Sequence, residues 1–140
     1  MNERILTSKL SKFLRTNPNR IQHSFAVEIK LIRGGTLNLN NHVRPQQLPA
    51  LIKVKHSSLW HKISDFSCSA GASNPFDGVY LYNCPAYLAI CFLPSNPKLI
   101  TRRPKILHFV SINTILSLQL HSPKINEATA KQYAEFSIQL

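Results

Sequence analysis

Apolar positions along this chain follow two spacings, one typical of helices and one typical of strands. Residues 3–14 place apolar side chains at intervals of three and four, which predicts a helix. Residues 24–32 alternate between faces, with Phe25 and Val27 on the side opposite Glu28, which predicts a strand. The pair Gly34-Gly35 then predicts a hairpin turn into a short second strand at residues 37–39.

The remaining pattern alternates between helices, strands and loops. A loop is expected at residues 40–44, followed by a helix that Pro45 opens and that ends near Lys55. A second loop, rich in Ser, Ala and Gly, is expected at residues 65–75. Ser111 is expected to cap a helix through residue 118, and Asn126 a helix to about residue 137. Strands are predicted at residues 59–64, 78–82, 86–93 and 106–110, the last of these being the final strand.

These elements predict one domain spanning residues 1–140, of α/β or α+β class, with helices flanking a central mixed sheet. Residues 94–140 contribute a basic loop, a strand and C-terminal helices. No stretch reaches the roughly 20 apolar residues that a membrane span requires. The three cysteines form no CxxC pair, which is typical of a reduced, cytoplasmic protein.

The chain is strongly basic. Seventeen Lys and Arg against six Asp and Glu give a formal net charge of +11, which favours a polyanionic partner. Nucleic acid is the commonest such partner, and an acidic membrane surface is the main rival. The basic residues are spread along the sequence, which favours a charged surface on a folded domain over a disordered arm. The predicted nucleic-acid-binding residues are Lys9, Lys12, Arg33, Lys53, Lys55, Arg102, Arg103 and Lys105.

The six acidic residues fall into two groups. Three lie on predicted helices, where solvated faces account for them. The other three, Glu28, Asp65 and Asp77, lie within or at the ends of apolar strands, where a carboxylate carries a desolvation cost unless a cation meets it.

Glu28 and Lys30 are two positions apart on a strand, so their side chains leave the same face. One interpretation is a structural ion pair. The other is chemical, in which the carboxylate coordinates a divalent metal and the ammonium holds the attacking water or a scissile phosphate. Mg²⁺ favours carboxylate oxygens and retains waters, so two acids and a backbone carbonyl suffice to bind it.

Asp77 is the first candidate for the second acid. It lies in the sequence Asn-Pro-Phe-Asp-Gly, where a loop enters a strand and Gly78 allows a ligand to approach closely. Asp77 is alternatively a simple loop cap, a common use of Asp beside Gly. Asp65, at the end of another predicted strand, is the rival for the same role.

At these residues the chain resembles the PD-(D/E)XK, or restriction-endonuclease-like, nuclease superfamily, and in particular small phage nucleases akin to Holliday-junction resolvases. The resemblance covers residues 24–93, about half of the chain. The matching segments are Phe-Ala-Val-Glu-Ile-Lys-Leu from residue 25, Gln-Gln-Leu-Pro-Ala-Leu from residue 46, His-Lys-Ile-Ser-Asp from residue 61, Pro-Phe-Asp-Gly-Val-Tyr-Leu from residue 75 and Ala-Tyr-Leu-Ala-Ile-Cys-Phe from residue 86.

The resemblance implies a Mg²⁺-dependent DNA endonuclease, with Mn²⁺ as an alternative ion, acting in the cytoplasm of a bacterial or phage-infected cell. Glu28 and Asp77 would be metal ligands, Lys30 the catalytic lysine and Gln47 an auxiliary polar group near the phosphate or water. Glu3 would correspond to the additional helical acid of resolvase-like members. Asp77 follows Glu28 by 49 positions, the reverse of the usual order, which implies a permuted or rearranged sheet.

Two other functions remain open. One is a non-catalytic nucleic-acid-binding module, in which Glu28 and Lys30 are a structural pair. The other is a basic interaction protein for an acidic protein or membrane surface. Trp60, Tyr80 and Tyr82 are either strand core residues or surfaces on which unpaired bases stack. A twofold dimer is expected if both DNA strands are cut symmetrically.

Overall fold

A four-stranded mixed sheet forms the centre of the fold in this computed structural model, which describes residues 3–16, 24–62, 78–95 and 105–140. Its first two strands are parallel, and the remaining neighbours are antiparallel. In spatial order the strands are β1 (Ala26–Arg33), β5 (Ala86–Leu93), β6 (Ile106–Ser111) and β8 (Phe136–Gln139). The predicted α+β class with a mixed central sheet is therefore confirmed.

Two smaller two-stranded sheets lie beside the central one in the described residues. The first pairs β2 (Thr36–Asn38) with β7 (Lys124–Asn126), and the second pairs β3 (Ser58–Lys62) with β4 (Gly78–Tyr82). We call the second pair the β3–β4 ribbon. The helices are α1 (Glu3–Thr16), α2 (Leu39–His42), α3 (Gln47–His56), α4 (Ile112–His121) and α5 (Glu127–Tyr133).

The strand alternation gives the central sheet two apolar faces. On one face α1 packs through Leu6 and Leu10 against a cluster that includes Ile29 of β1. On the other face α3, α4 and α5 cover a second cluster that includes Ile32 of β1. Both clusters contain fully buried side chains, so the sheet is the middle layer of a three-layer arrangement.

The predicted hairpin after β1 is wrong, although the glycines behave as a turn. Gly34 and Gly35 have φ angles of 89° and 87°, which favour glycine. The strand that follows nevertheless pairs with β7 rather than folding back on β1. Leu37 and Ile125 face each other in this pairing and are both fully buried, so burial of a distant segment decided the partner.

The C-terminal prediction is wrong in part. Asn126 caps α5 by accepting a hydrogen bond from the Thr129 amide at 2.8 Å, but the helix ends at Tyr133 rather than near residue 137. Residues 136–139 form β8, so β6 is not the final strand. The Phe136 ring stacks on Phe109 with centroids 4.5 Å apart, and this packing holds the segment in the sheet.

One further segment differs from the predictions. Residues 39–42, expected within or beside a loop, form α2, whose N-cap Asn38 accepts from the Asn40 amide at 3.1 Å. The helices and strands predicted near residues 3, 47, 78, 86 and 106 are all present. The loop expected at residues 65–75 lies outside the described residues.

In the described part of the chain, no helix is both long enough and apolar enough to cross a bilayer.

Candidate active site

Glu28 and Lys30 of β1 form an ion pair on the face of the sheet that α3 covers. The Lys30 Nζ atom lies 3.1 Å from Glu28 Oε1. The side chain of Lys30 is 7% exposed and that of Glu28 is 27% exposed, so the amine is buried and the carboxylate reaches solvent. The period-two geometry of the strand therefore produced the predicted juxtaposition.

Gln47 completes this cluster from α3. Its Nε2 atom donates to Glu28 Oε1 at 2.5 Å, and its Oε1 atom accepts from the Arg44 amide at 2.8 Å. The side chain of Gln47 thus connects the loop before α3 to the carboxylate on β1. Both of its hydrogen bonds restrict the rotamer, which fixes the position of the Glu28 carboxylate. Of the four predicted catalytic residues, the structure brings three together.

The buried amine makes this cluster energetically demanding. A lysine ammonium withdrawn from water carries a large desolvation cost, which one carboxylate offsets only with good geometry. Replacing such a pair with apolar residues of similar volume is often neutral or stabilising. Stability alone therefore does not account for charged groups at this position, which suit a structural pair or a chemical role.

Among the described strands, β1 is the outermost strand of the central sheet, and its outer edge lies next to the cluster. The Ala26 amide donates to the Pro85 carbonyl, just before β5, at 2.9 Å, whereas the Leu31 amide donates to Glu3 Oε1 at 3.4 Å. Successive residues of a strand direct their backbone groups to opposite sides. The carbonyl of Ile29 is therefore directed away from β5, toward the edge that Glu3 approaches.

A groove of about 390 Å³ runs between α1 and β1 at this edge. Glu3 and Glu28 both line it, so the predicted helical acid and the strand acid border the same space. The groove is also lined by Arg4, Thr7 and Ser11, which the sequence predictions missed. Their helical spacing on one side of α1, flanking Glu3, was the available signal.

The two other candidate acids cannot be placed in this cluster. Asp77 and Asp65 both lie outside the described residues. The strand that follows Asp77, β4, belongs to the β3–β4 ribbon rather than to the sheet that carries Glu28. Within the ranges that the structure describes, no group of three or more His, Cys, Asp or Glu side chains is arranged to hold a metal ion.

The donor groups at the groove fit Mg²⁺ in kind. They comprise two carboxylates and a strand-edge carbonyl, which are hard oxygen ligands, and Mg²⁺ keeps several of its waters when it binds. Glu28, Glu3 and the Ile29 carbonyl are the described groups that would hold it.

The predicted basic residues do not form one patch. Lys9 and Lys12 are exposed on α1, and their spacing places them away from the groove. Lys53 and Lys55 lie on the last turn of α3, on the opposite side of the central sheet. Arg33 is exposed at the end of β1 and Lys105 is half-buried before β6. Arg102 and Arg103 lie outside the described residues.

Comparisons of this chain with protein-family models, with curated proteins and with solved structures find no match.

Proposed function

We propose that this protein is a metal-dependent DNA endonuclease that hydrolyses phosphodiester bonds, with Mg²⁺ as its ion and Mn²⁺ as an alternative. The observation that carries the proposal is the cluster of Glu28, Lys30 and Gln47 at the edge of the sheet. A carboxylate, a buried ammonium and an oriented amide converge there within hydrogen-bonding distance. The proposed substrate is DNA in the cytoplasm, selected by structure rather than by sequence.

The net charge supports this choice of substrate. A charge of +11 favours contact with phosphates, and contacts to phosphates position a duplex without reading its bases. The exposed cations on both sides of the sheet provide such contacts. The groove between α1 and β1 is where a phosphate would meet the carboxylates of Glu3 and Glu28, the second of which is paired with Lys30.

Each residue of the cluster has a defined task in the proposed mechanism. Glu28 presents its carboxylate at the groove, and Gln47 holds that carboxylate in one orientation. Lys30 neutralises Glu28 and carries three donors, which can hold a water or a phosphate oxygen. Glu3 brings a second negative group to the same groove. A bound Mg²⁺ would supply charge neutralisation at the phosphate and a more acidic water.

Plasmid nicking tests the proposal directly. The parent chain should convert supercoiled plasmid to the nicked form with Mg²⁺ and should not do so with EDTA. Lys30→Met and Asp77→Ala should abolish nicking while DNA affinity in EDTA stays within about twofold of the parent. Lys124→Met is the matched control, because it removes an exposed lysine of β7 that has no role in the cluster, and it should leave nicking at saturating protein unchanged. Undiminished nicking by both site variants would refute the proposal.

A non-catalytic nucleic-acid-binding module is the second candidate function. It is favoured by the engagement of Glu28 Oε1 with both Lys30 and Gln47, which a purely structural polar cluster also requires. This function predicts salt-sensitive DNA binding that does not depend on a divalent ion. Filter binding with and without EDTA, run beside the nicking assay, separates the two. If the protein cuts both DNA strands symmetrically, sedimentation velocity should show that it is a twofold dimer.

A further inference from the structure

The β3–β4 ribbon exposes three aromatic side chains on one face. Trp60 lies directly opposite Tyr80 in the antiparallel register, and Tyr82 follows Tyr80 by two positions. Residues directly opposed, or two apart on one strand, share a face of a sheet. Trp60, Tyr80 and Tyr82 therefore project on the same side, with exposed fractions of 62%, 60% and 67%.

The opposite face of the ribbon carries the residues that anchor it. Leu59, Val79 and Leu81 alternate with the aromatic residues and are half-buried. The ribbon packs against α3, and its base is held by the Asn83 amide, which donates to the Ser57 carbonyl at 3.0 Å. An isolated two-stranded ribbon is only marginally stable in water, so the packing against α3 stabilises it and fixes its orientation. The aromatic face is left to solvent, and a grouped set of large exposed rings is typical of a binding surface.

The described charged residues that adjoin the ribbon in the sequence are all basic. The last turn of α3, just before the ribbon, carries Lys53, Lys55 and His56. No acidic residue occurs between residues 29 and 64, and residues 78–95 carry no charge. The nearest acids in the sequence, Asp65 and Asp77, lie outside the described residues. Exposed rings on a ribbon that directly follows a basic helix turn complement a partner that combines flat apolar groups with negative charge.

We propose that the aromatic face of the β3–β4 ribbon stacks on unpaired bases of a nucleic-acid strand, while Lys53 and Lys55 contact its phosphates. Every base has a π-face, so such stacking is tolerant of sequence. A continuous duplex keeps its bases stacked on each other and presents none of these faces. The inference rests on the proposed function for the class of partner, and it adds that the substrate contains a single-stranded segment.

Trp60 is the only tryptophan of the chain, so its fluorescence reports directly on this face. The protein is titrated in EDTA with oligothymidylate, with a duplex of equal length, and with an abasic deoxyribose-phosphate oligomer. Oligothymidylate should quench Trp60, and the other two should bind with little quenching. Tyr80→Ala and Tyr82→Ala should each weaken binding of oligothymidylate about tenfold. Duplex affinity should change by less than twofold.

Matched controls separate stacking from a general loss of surface. Tyr133→Ala removes a tyrosine that is 42% exposed on α5 and should leave oligothymidylate affinity unchanged. Trp60→Phe should retain most of the affinity, because phenylalanine also stacks. Thermal melting by circular dichroism establishes that each variant is folded before its affinity is compared.

Several outcomes would overturn the inference. One is that the abasic oligomer quenches Trp60 as strongly as oligothymidylate does. Another is that the tyrosine variants lose as much affinity for the duplex as for oligothymidylate. The third is that oligothymidylate does not quench Trp60. A blue shift of Trp60 on anionic vesicles without quenching by oligothymidylate would assign the face to a membrane instead. Because binding is measured in EDTA, nicking does not enter the result. If nicking is absent but oligothymidylate still quenches Trp60, the nuclease proposal alone has failed. If nicking is present but Trp60 is not quenched, the stacking inference alone has failed.

Discussion

Gln47 donates a 2.5 Å hydrogen bond to Glu28 across the gap between the first turn of α3 and the middle of β1. The two residues are 19 positions apart, and neither neighbour of Gln47 could make the same contact from a helix of this orientation. The amide adds no charge to the cluster. Its effect is to hold the same Glu28 oxygen, Oε1, that Lys30 contacts.

Gln47→Ala should reduce nicking about tenfold to a hundredfold while leaving DNA affinity nearly unchanged. The reason is that a freed Glu28 carboxylate samples several rotamers, and small misplacements at a reacting centre are costly. Single-turnover nicking at saturating protein is the measurement. Gln46→Ala is the matched control, since Gln46 is exposed and makes no capping hydrogen bond through its side chain. Equal effects of the two variants would remove Gln47 from the site.

Glu28→Ala should lower the free energy of unfolding by about 3 kcal/mol, because it leaves the buried Lys30 ammonium without its carboxylate. Lys30→Met should cost less, since Met matches the apolar stem and Glu28 retains contact with Gln47 and with solvent. Urea unfolding of both variants measures the difference. The asymmetry is the test: a Glu28 variant no less stable than the Lys30 variant would show that Lys30 reaches water.

His108 should make the stability of the protein depend on pH in the mildly acidic range. Burial lowers the pKa of His108 below 6.5, and Lys131 lowers it further while Glu127 opposes the change. The unfolded chain therefore binds the proton more readily than the folded chain. The stability is fully present above pH 6.5 and falls as the pH falls from 6.5 toward the folded-state pKa.

The measurement is the free energy of unfolding of the parent and of His108→Gln between pH 5 and 8. The parent should lose stability on acidification, and the variant should lose the part of that slope due to His108. His121→Gln, which changes an exposed ring, serves as the control. An NMR titration that gives His108 a pKa at or above 6.5 would contradict the prediction.

Cys91 should resist alkylation in the folded protein. It is fully buried in β5, and burial raises the pKa of its thiol to about 11, with Glu127 adding to the rise and Lys105 opposing it. Thiolate is the reactive form, so little is available near pH 8. In a Cys68→Ser background, iodoacetamide followed by mass spectrometry should label the half-buried Cys84 first. Labelling of Cys91 at the rate of Cys84 without denaturant would show that β5 opens readily.

The sequence predicted those features that depend on near neighbours. The alternation in β1 and β5 and the helical spacing in α1 identified these elements, because side-chain periodicity is set by the local backbone. The same alternation placed Glu28 and Lys30 on one face. The cap at Asn126 was also predictable, since the capping hydrogen bond spans three residues.

The sequence failed where remote segments compete for the same backbone or core. Gly34-Gly35 is compatible with a hairpin, yet β2 pairs with β7 because Leu37 and Ile125 are buried together. Residues 136–139 lie beside a helix in the sequence, yet form β8 through pairing with β6. In both places the local sequence is compatible with more than one structure. Burial of apolar side chains that are distant in sequence selected one of them.

The chain by itself determined its charge, its principal helices and strands, and the pairing of an acid with an amine two positions away. The tertiary structure alone decided that α3 covers the charged face of β1, so that Gln47 meets Glu28, and that α1 brings Glu3 to the strand edge. The physical reason is the range of the interactions. Periodicity and capping act over a few residues, whereas layer packing joins residues far apart in sequence through buried area that no local pattern encodes.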